Sequence, residues 1–140
     1  MTFLELYFEA TSINDGPEER VRVALVKFLE EKLNHVGLEI LVENIHRDIV
    51  VRHAHCDIFV IECKRRGMCL YRNASVYQQI RKYLRRPTPP HHGALFNIDE
   101  LVFVSHPSHE SNPCGVRALN IDELINRILN AKPSAFLAKS

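Results

Sequence analysis

The segment that most constrains the fold is residues 46–64, HRDIVVRHAHCDIFVIECK. Two apolar runs rich in β-branched and aromatic residues flank a polar stretch, Arg52 to Cys56. Such runs form strands, and strands joined by so few residues pair as an antiparallel hairpin. The charged residues lie at the outer ends, because Asp48 opens the first run while Glu62 and Lys64 close the second.

A turn at residues 52–56 sets the predicted register, in which Asp48 faces Val60 and His46 faces Glu62. Paired residues share a face of the sheet, and side chains alternate between faces along a strand. Three charged side chains are therefore predicted on one face: Asp48, Glu62 and Lys64. Asp48 becomes a diagonal neighbour of Glu62, roughly 7–8 Å away at the backbone. Two carboxylates that lean together from this separation can share one cation.

Asp57 is the rival acid, since it is nearer to Glu62 in sequence. It precedes Glu62 by an odd number of residues on the same strand, so a regular strand points it to the other face. We therefore prefer Asp48, although a one-residue change in turn length would reverse the choice.

Length and composition predict one globular domain. The chain has 140 residues, of which 46% are hydrophobic and 25% are charged, and this is ordinary for a single core. We expect the domain to cover residues 1–131 and residues 132–140 to form a tail. There is no apolar run long enough for a membrane span and no signal-peptide pattern. The four cysteines form no CxxC pair, which predicts reduced thiols and a cytoplasmic location.

Charge is distributed unevenly, although the net charge is only +1. The interval 64–86 contains no Asp or Glu and carries eight basic residues: Lys64, Arg65, Arg66, Arg72, Arg81, Lys82, Arg85 and Arg86. A basic block beside paired acids favours a polyanionic partner such as nucleic acid. By itself the block is equally compatible with a solvated helix face.

Hydrophobic periodicity predicts an α/β fold in which a mixed sheet is flanked by helices. The predicted strands are residues 2–10 (an edge strand or a dimer contact), 38–45, the hairpin, 68–71, 101–105 and 116–119. The predicted helices run from Asp15 to about residue 34, from Ser75 to about 86, and from Asn120 to about 131, with capping boxes at Asp15/Glu18 and Ser75/Gln78. Residues 87–98, with three prolines and two histidines, are predicted to be a loop.

Four sequence blocks resemble the PD-(D/E)xK nuclease superfamily: PEERVRVALVKFL, RDIVV, VIECK and QIRKY. They are most similar to the N-terminal nuclease domain of type I restriction enzyme R subunits and, more distantly, to Holliday junction resolvases. The resemblance covers residues 16–86 and implies a restriction-endonuclease-like αβββαβ core. Arg47 stands where the superfamily name has proline, a frequent replacement in this subgroup. No GxxxxGK[ST] motif is present, so no helicase motor is expected.

The resemblance implies a metal-dependent endonuclease that hydrolyses phosphodiester bonds in DNA, with RNA also compatible. Asp48, Glu62 and the backbone carbonyl of Cys63 would bind Mg²⁺ or Mn²⁺, and oxygen ligands suit both ions. Lys64 would position water or stabilise the transition state. Glu18 matches the acid of the first helix, with Glu19 as its rival.

Further residues are expected at the nucleic acid. Gln79 and Tyr83 match the Gln-x-x-x-Tyr block of the superfamily and would touch the substrate backbone. Phosphate contacts are predicted for Arg65, Arg66, Arg81, Lys82 and Arg85, because such contacts provide affinity without sequence preference.

Other interpretations remain at this stage. The acids and the lysine could be solvent-exposed charges at a strand end, and the histidines and cysteines around the turn match no known closed zinc site. The chain could be a non-catalytic nucleic-acid-binding module. It could also work as a homodimer or as a subunit that needs a motor or specificity partner.

Overall fold

The computed structural model describes residues 2–9, 17–43, 48–106, 115–118 and 120–131, and the side chains of Pro17, Glu43 and Asp48 lie outside that description. Four helices are present in these ranges: α1 (Phe3–Glu9), α2 (Pro17–Leu33), α3 (Ala74–Leu84) and α4 (Asp122–Ala131). The strands are β1 (Glu39–Glu43), β2 (Asp48–His53), β3 (Cys56–Cys63), β4 (His92–Phe96), β5 (Leu101–Ser105) and β6 (Val116–Arg117). A single 3₁₀ turn, Asn34–Val36, follows α2.

The six strands form one mixed sheet in the order β1-β2-β3-β4-β5-β6. All neighbours are antiparallel except β3 and β4, which are parallel. Parallel neighbours need a crossover connection, and α3 lies in that connection. The prediction of a mixed sheet flanked by helices is confirmed.

Helices cover both faces of the sheet. On one face α1, α2 and α4 pack against alternate strand residues such as Ile49 and Ile61. On the other face α3 packs against residues of opposite parity, including Val50 and Val60. Burial on both faces explains why the run 58–61 is continuously apolar, as is usual for a central strand.

The predicted strand at residues 2–10 is wrong, because Phe3–Glu9 form a helix. The N–H of Glu5 donates to Oγ1 of Thr2, and that hydroxyl donates to the Glu5 carboxylate; Thr2 is therefore the N-cap of α1. Phe3, Leu6 and Tyr7 are buried on one helical face. The ring of Phe3 lies 5.2 Å from that of Phe96 and 5.9 Å from that of Phe28.

The predicted loop at residues 87–98 is wrong in part, because His92–Phe96 form the central strand β4. Gly93 is required there, since a Cβ atom would lie 2.7 Å from the backbone oxygen of Val60. The predicted short strand at 68–71 is absent, since residues 68–70 form no regular secondary structure and a turn follows at 71–72. The predicted helix from Ser75 to about residue 86 is present as α3, Ala74–Leu84, but its N-cap is Asn73 and not Ser75.

The long amphipathic helix is as predicted from Pro17 onwards. Val21, Ala24, Leu25, Phe28 and Leu29 are all buried. The predicted cap at Asp15 and the tail at 132–140 lie outside the described residues. None of the helices in the described ranges is long and apolar enough to cross a membrane.

Candidate active site

The hairpin register differs from the predicted one, yet it keeps the two acids on the same face. The turn has two residues, Ala54 and His55, with φ values of 49° and 67°. Asp48 is paired directly with Glu62 instead of with Val60. Directly opposed residues have Cβ atoms about 4.5–5.5 Å apart, so the backbone brings these positions closer than the predicted diagonal.

A β-bulge is responsible for this pairing. Near the turn Arg52 pairs with Asp57, whereas Val51 pairs with Phe59, so Ile58 is an extra residue on β3. Without it, the two-residue turn would set Asp48 opposite Ile61, and Glu62 would point to the other face. Ile58 and Phe59 are both buried in the core under α2 and α4.

Asp57 does not point away from the face of Asp48, so that part of the prediction is wrong. The bulge changes the parity, and Asp57 lies opposite Arg52 with 2.8 Å between its Oδ1 and the guanidinium Nε. It stands near the turn, at the far end of β3 from Glu62, and it is neutralised by Arg52. Asp57 therefore does not compete with Asp48 for a shared site.

Glu62, Lys64 and Gln79 form a contiguous polar cluster. The Nζ of Lys64 lies 2.8 Å from Oε1 of Glu62 and 3.3 Å from Oε1 of Gln79. The carboxylate is buried, with its side chain 10% exposed, and that of Lys64 is 17% exposed. An ammonium group has three N–H donors, and among the described side chains Glu62 and Gln79 use two of them.

Three elements hold this cluster. Glu62 is the penultimate residue of β3, and its backbone register with Leu95 fixes it in the sheet interior. The N–H of Lys64 donates to the carbonyl of Phe96 at 2.9 Å, which extends the β3–β4 ladder by one residue. Gln79 reaches the ammonium from α3, which packs across this face of the sheet. The Cys63 side chain is buried in the core on the opposite face of the sheet, so only its backbone faces the side of the cluster.

The first-helix acids are not part of this cluster in the described structure. Glu18 stands in the first turn of α2, which covers the opposite face of the sheet. Glu19 forms an ion pair with Arg22 one turn along the same helix. Of the two, Glu18 keeps a carboxylate that is not engaged by that arginine.

The predicted phosphate contacts occupy two regions. Arg65 and Arg66 follow Lys64 on the exposed connection to α3, where Arg66 pairs with Asp99 at 3.2 Å. The rest lie on α3 or just past its end: Arg81, Lys82, Tyr83 and Arg85. Arg81 lies beside the Tyr77 ring and is half-buried, and Tyr83 is half-buried beneath Arg86. Lys82 and Arg85 are exposed, so among the four residues on or just past α3 they are the most accessible to a phosphate group.

The histidines and cysteines of the hairpin form no metal cluster. His53 and Cys56 are paired across the turn, and Cys69 lies on the exposed connection before α3. Among the described side chains, to which the Asp48 carboxylate does not belong, no three Asp, Glu, His or Cys residues converge. Cys114 lies outside the described residues.

Comparison of the chain with protein families, with curated proteins and with solved structures finds no match.

Proposed function

We propose that this chain is a metal-dependent endonuclease that hydrolyses phosphodiester bonds in DNA, with a restriction-endonuclease-like fold. The observation that supports this most directly is the direct pairing of Asp48 with Glu62, next to a lysine that already contacts Glu62. Two acids and a lysine at one strand end are the charged groups that such hydrolysis needs.

The donor set fits a hard divalent cation. Asp48 and Glu62 supply carboxylate oxygens and Cys63 supplies a backbone carbonyl, and Mg²⁺ and Mn²⁺ prefer oxygen ligands. Glu62 is buried and is already paired with Lys64, and the second acid at the paired position Asp48 adds a negative charge that a divalent cation could neutralise. When bound, the metal lowers the pKa of a coordinated water and offsets the charge that develops on the phosphoryl group.

Lys64 has a distinct role. Its third N–H can donate to the attacking water or to a non-bridging phosphate oxygen, and a compact ammonium charge stabilises the phosphorane-like transition state. Gln79 accepts a hydrogen bond from the same ammonium. Gln79 would therefore still hold Lys64 if Glu62 also bound a cation.

The basic residues fit a nucleic-acid substrate. Lys82 and Arg85 are exposed on or beside α3, and Arg85 lies about 9 Å further along the helix axis than Gln79. A phosphate backbone that runs along α3 would contact these residues while one phosphodiester reaches Lys64. Such contacts provide affinity that does not depend on base sequence.

A partner-dependent subunit is the second candidate, and exposed apolar residues on α1 favour it. Leu4 is 51% exposed and Phe8 is 60% exposed, one turn apart on the helix surface. In this alternative the purified chain does not cut DNA alone and becomes active with a co-purifying protein.

Nicking of supercoiled plasmid in Mg²⁺ or Mn²⁺ tests the proposal. Asp48→Asn and Lys64→Ala should each lower the rate about 100-fold or more, whereas Asp57→Asn is the matched control and should stay close to wild type. Nicking that survives Asp48→Asn or excess EDTA would contradict the mechanism. A panel of duplex, single-stranded and branched DNA then identifies the preferred substrate.

A further inference from the structure

Arg117 and the candidate metal ligands Asp48 and Glu62 belong to one row of paired residues that runs across the strands of the sheet. Cross-strand pairing links Asp48 to Glu62, Glu62 to Leu95, Leu95 to Val102, and Val102 to Arg117. Val102 belongs to the core beneath α3, so the Arg117 position is on the α3 face as well. Arg117 is three strands beyond Glu62, which corresponds to about 14 Å.

Arg72 and Arg117 both lie beside the Tyr71 ring at the β6 end of this row. The guanidinium carbon of Arg117 lies 5.2 Å from the centre of the Tyr71 ring, and that of Arg72 lies 5.4 Å from the same centre. Both distances are in the range of cation–π contacts. Arg72 is exposed, the Arg117 side chain is 59% exposed, and Tyr71 is half-buried.

Among the described residues, the acids do not fully neutralise Arg72 and Arg117. Within the described ranges, the ion pair to this cluster comes from Glu100, whose Oε1 is 3.8 Å from Arg117. The second carboxylate oxygen of Glu100 accepts the backbone N–H of Leu70. One carboxylate therefore faces two guanidinium groups, which leaves an excess positive charge that an added anion would neutralise.

The segment 68–72, which carries Tyr71, is held against the rest of the fold by a hydrogen bond and by a buried side chain. The Asn97 amide is buried and donates to the carbonyl of Met68 at 2.6 Å, and Leu70 is fully buried. Arg72 itself has a φ of 59°, in the left-handed region that disfavours an arginine. A charged residue held in a strained conformation on such a segment is typical of functional sites.

We infer that Arg72 and Arg117, together with Tyr71, form a second phosphate-binding site for the nucleic-acid strand, about 14 Å from Glu62. The inference rests on the proposed function, because it assigns the bound anion to the same DNA. A separation of this size spans about four nucleotides of duplex rise. The site holds the strand at a distance from the cleaved bond and sets which phosphodiester reaches Lys64.

The test measures DNA binding in EDTA, so that it does not depend on cleavage. The affinity for a fluorescein-labelled duplex is recorded by anisotropy across a series of salt concentrations. Arg72→Asn with Arg117→Gln should reduce the slope of log affinity against log salt by about 1–2. Asparagine is chosen at position 72 because it tolerates the left-handed conformation.

Arg127→Gln is the matched control. Arg127 is also exposed and lies 4.6 Å from the Phe103 ring, but α4 is on the other face of the sheet. This variant should keep the wild-type slope. The inference is overturned if the double variant keeps the wild-type slope, if Arg127→Gln reduces it equally, or if the wild-type chain binds no duplex.

Plasmid nicking separates this inference from the proposed function. If wild type nicks DNA but the double variant keeps its salt slope, the second site is refuted and the nuclease proposal stands. If the slope falls as expected but wild type does not nick in Mg²⁺ or Mn²⁺, the nuclease proposal fails and the binding site stands. Where both hold, the double variant should raise KM with kcat nearly unchanged.

Discussion

Replacing Lys64 with methionine should lower the free energy of unfolding and make it depend on the concentration of divalent cations. The variant removes the charge 2.8 Å from Glu62 and replaces lysine by an unbranched side chain that is one atom shorter. Breaking a buried ion pair costs about 3–5 kcal/mol. Because Lys64 is 17% exposed and Glu62 10% exposed, some water reaches the carboxylate, and we expect a loss of about 2–3 kcal/mol. In a domain of this size the melting temperature should fall by roughly 10 °C.

A divalent cation should reverse this loss. In Lys64→Met no ammonium competes for Glu62, so Mg²⁺ should bind more tightly than it does in wild type. A free Mg²⁺ concentration 100 times Kd would stabilise the variant by about 2.7 kcal/mol. Urea unfolding followed by circular dichroism, in EDTA and in rising Mg²⁺ or Mn²⁺, measures both effects.

The control is Lys64→Met combined with Glu62→Gln, which removes both charges. This double variant should recover most of the stability in EDTA and should not respond to Mg²⁺. If Lys64→Met shows no response to either cation, or if the double variant responds equally, Asp48 and Glu62 do not form a cation site.

Three further predictions concern the free energy of unfolding and do not depend on the nuclease proposal. Phe3→Ala should lower the free energy of unfolding by about 3–5 kcal/mol in urea titrations, since its ring packs against two buried phenylalanines; Phe8→Ala, at an exposed position, should stay within about 0.5 kcal/mol of wild type. Thr2→Ala should cost about 1 kcal/mol in the same assay by removing the α1 cap. Gly93→Ala should cost about 1–3 kcal/mol, since its Cβ meets the Val60 carbonyl, and unchanged unfolding would refute the close β3–β4 approach.

The first helix shows where sequence periodicity is ambiguous. In TFLELYFEA, Phe3, Leu6 and Tyr7 fit a helical face, whereas Leu4, Leu6 and Phe8 fit a strand face. A segment this short does not separate the two periods. The Thr2-x-x-Glu5 pair was the local evidence for a helix, and contact with α2 and β4 decides the outcome.

Strand β4 was missed for a related reason. Three prolines precede it and Gly93 interrupts it, and these residues are typical of loops. The glycine is present because the Val60 backbone lies too close for a side chain. This approach is between residues far apart in sequence, so no local pattern reveals it.

The sequence by itself predicted the succession of one helix, three strands and one helix that the structure shows from α2 to α3, and it brought Asp48, Glu62 and Lys64 into consideration, whereas Gln79 came from the family resemblance. Apolar periodicity and the placement of charges at strand ends carry that information locally. The pairing of Asp48 with Glu62 was decided only in the tertiary structure. The Ala54–His55 turn lacks the asparagine and glycine that usually indicate a two-residue turn. The compensating bulge arises because Ile58 and Phe59 are both buried under the same helices. A strand that is apolar on both faces does not specify its own register, so the helices that pack on the sheet select it.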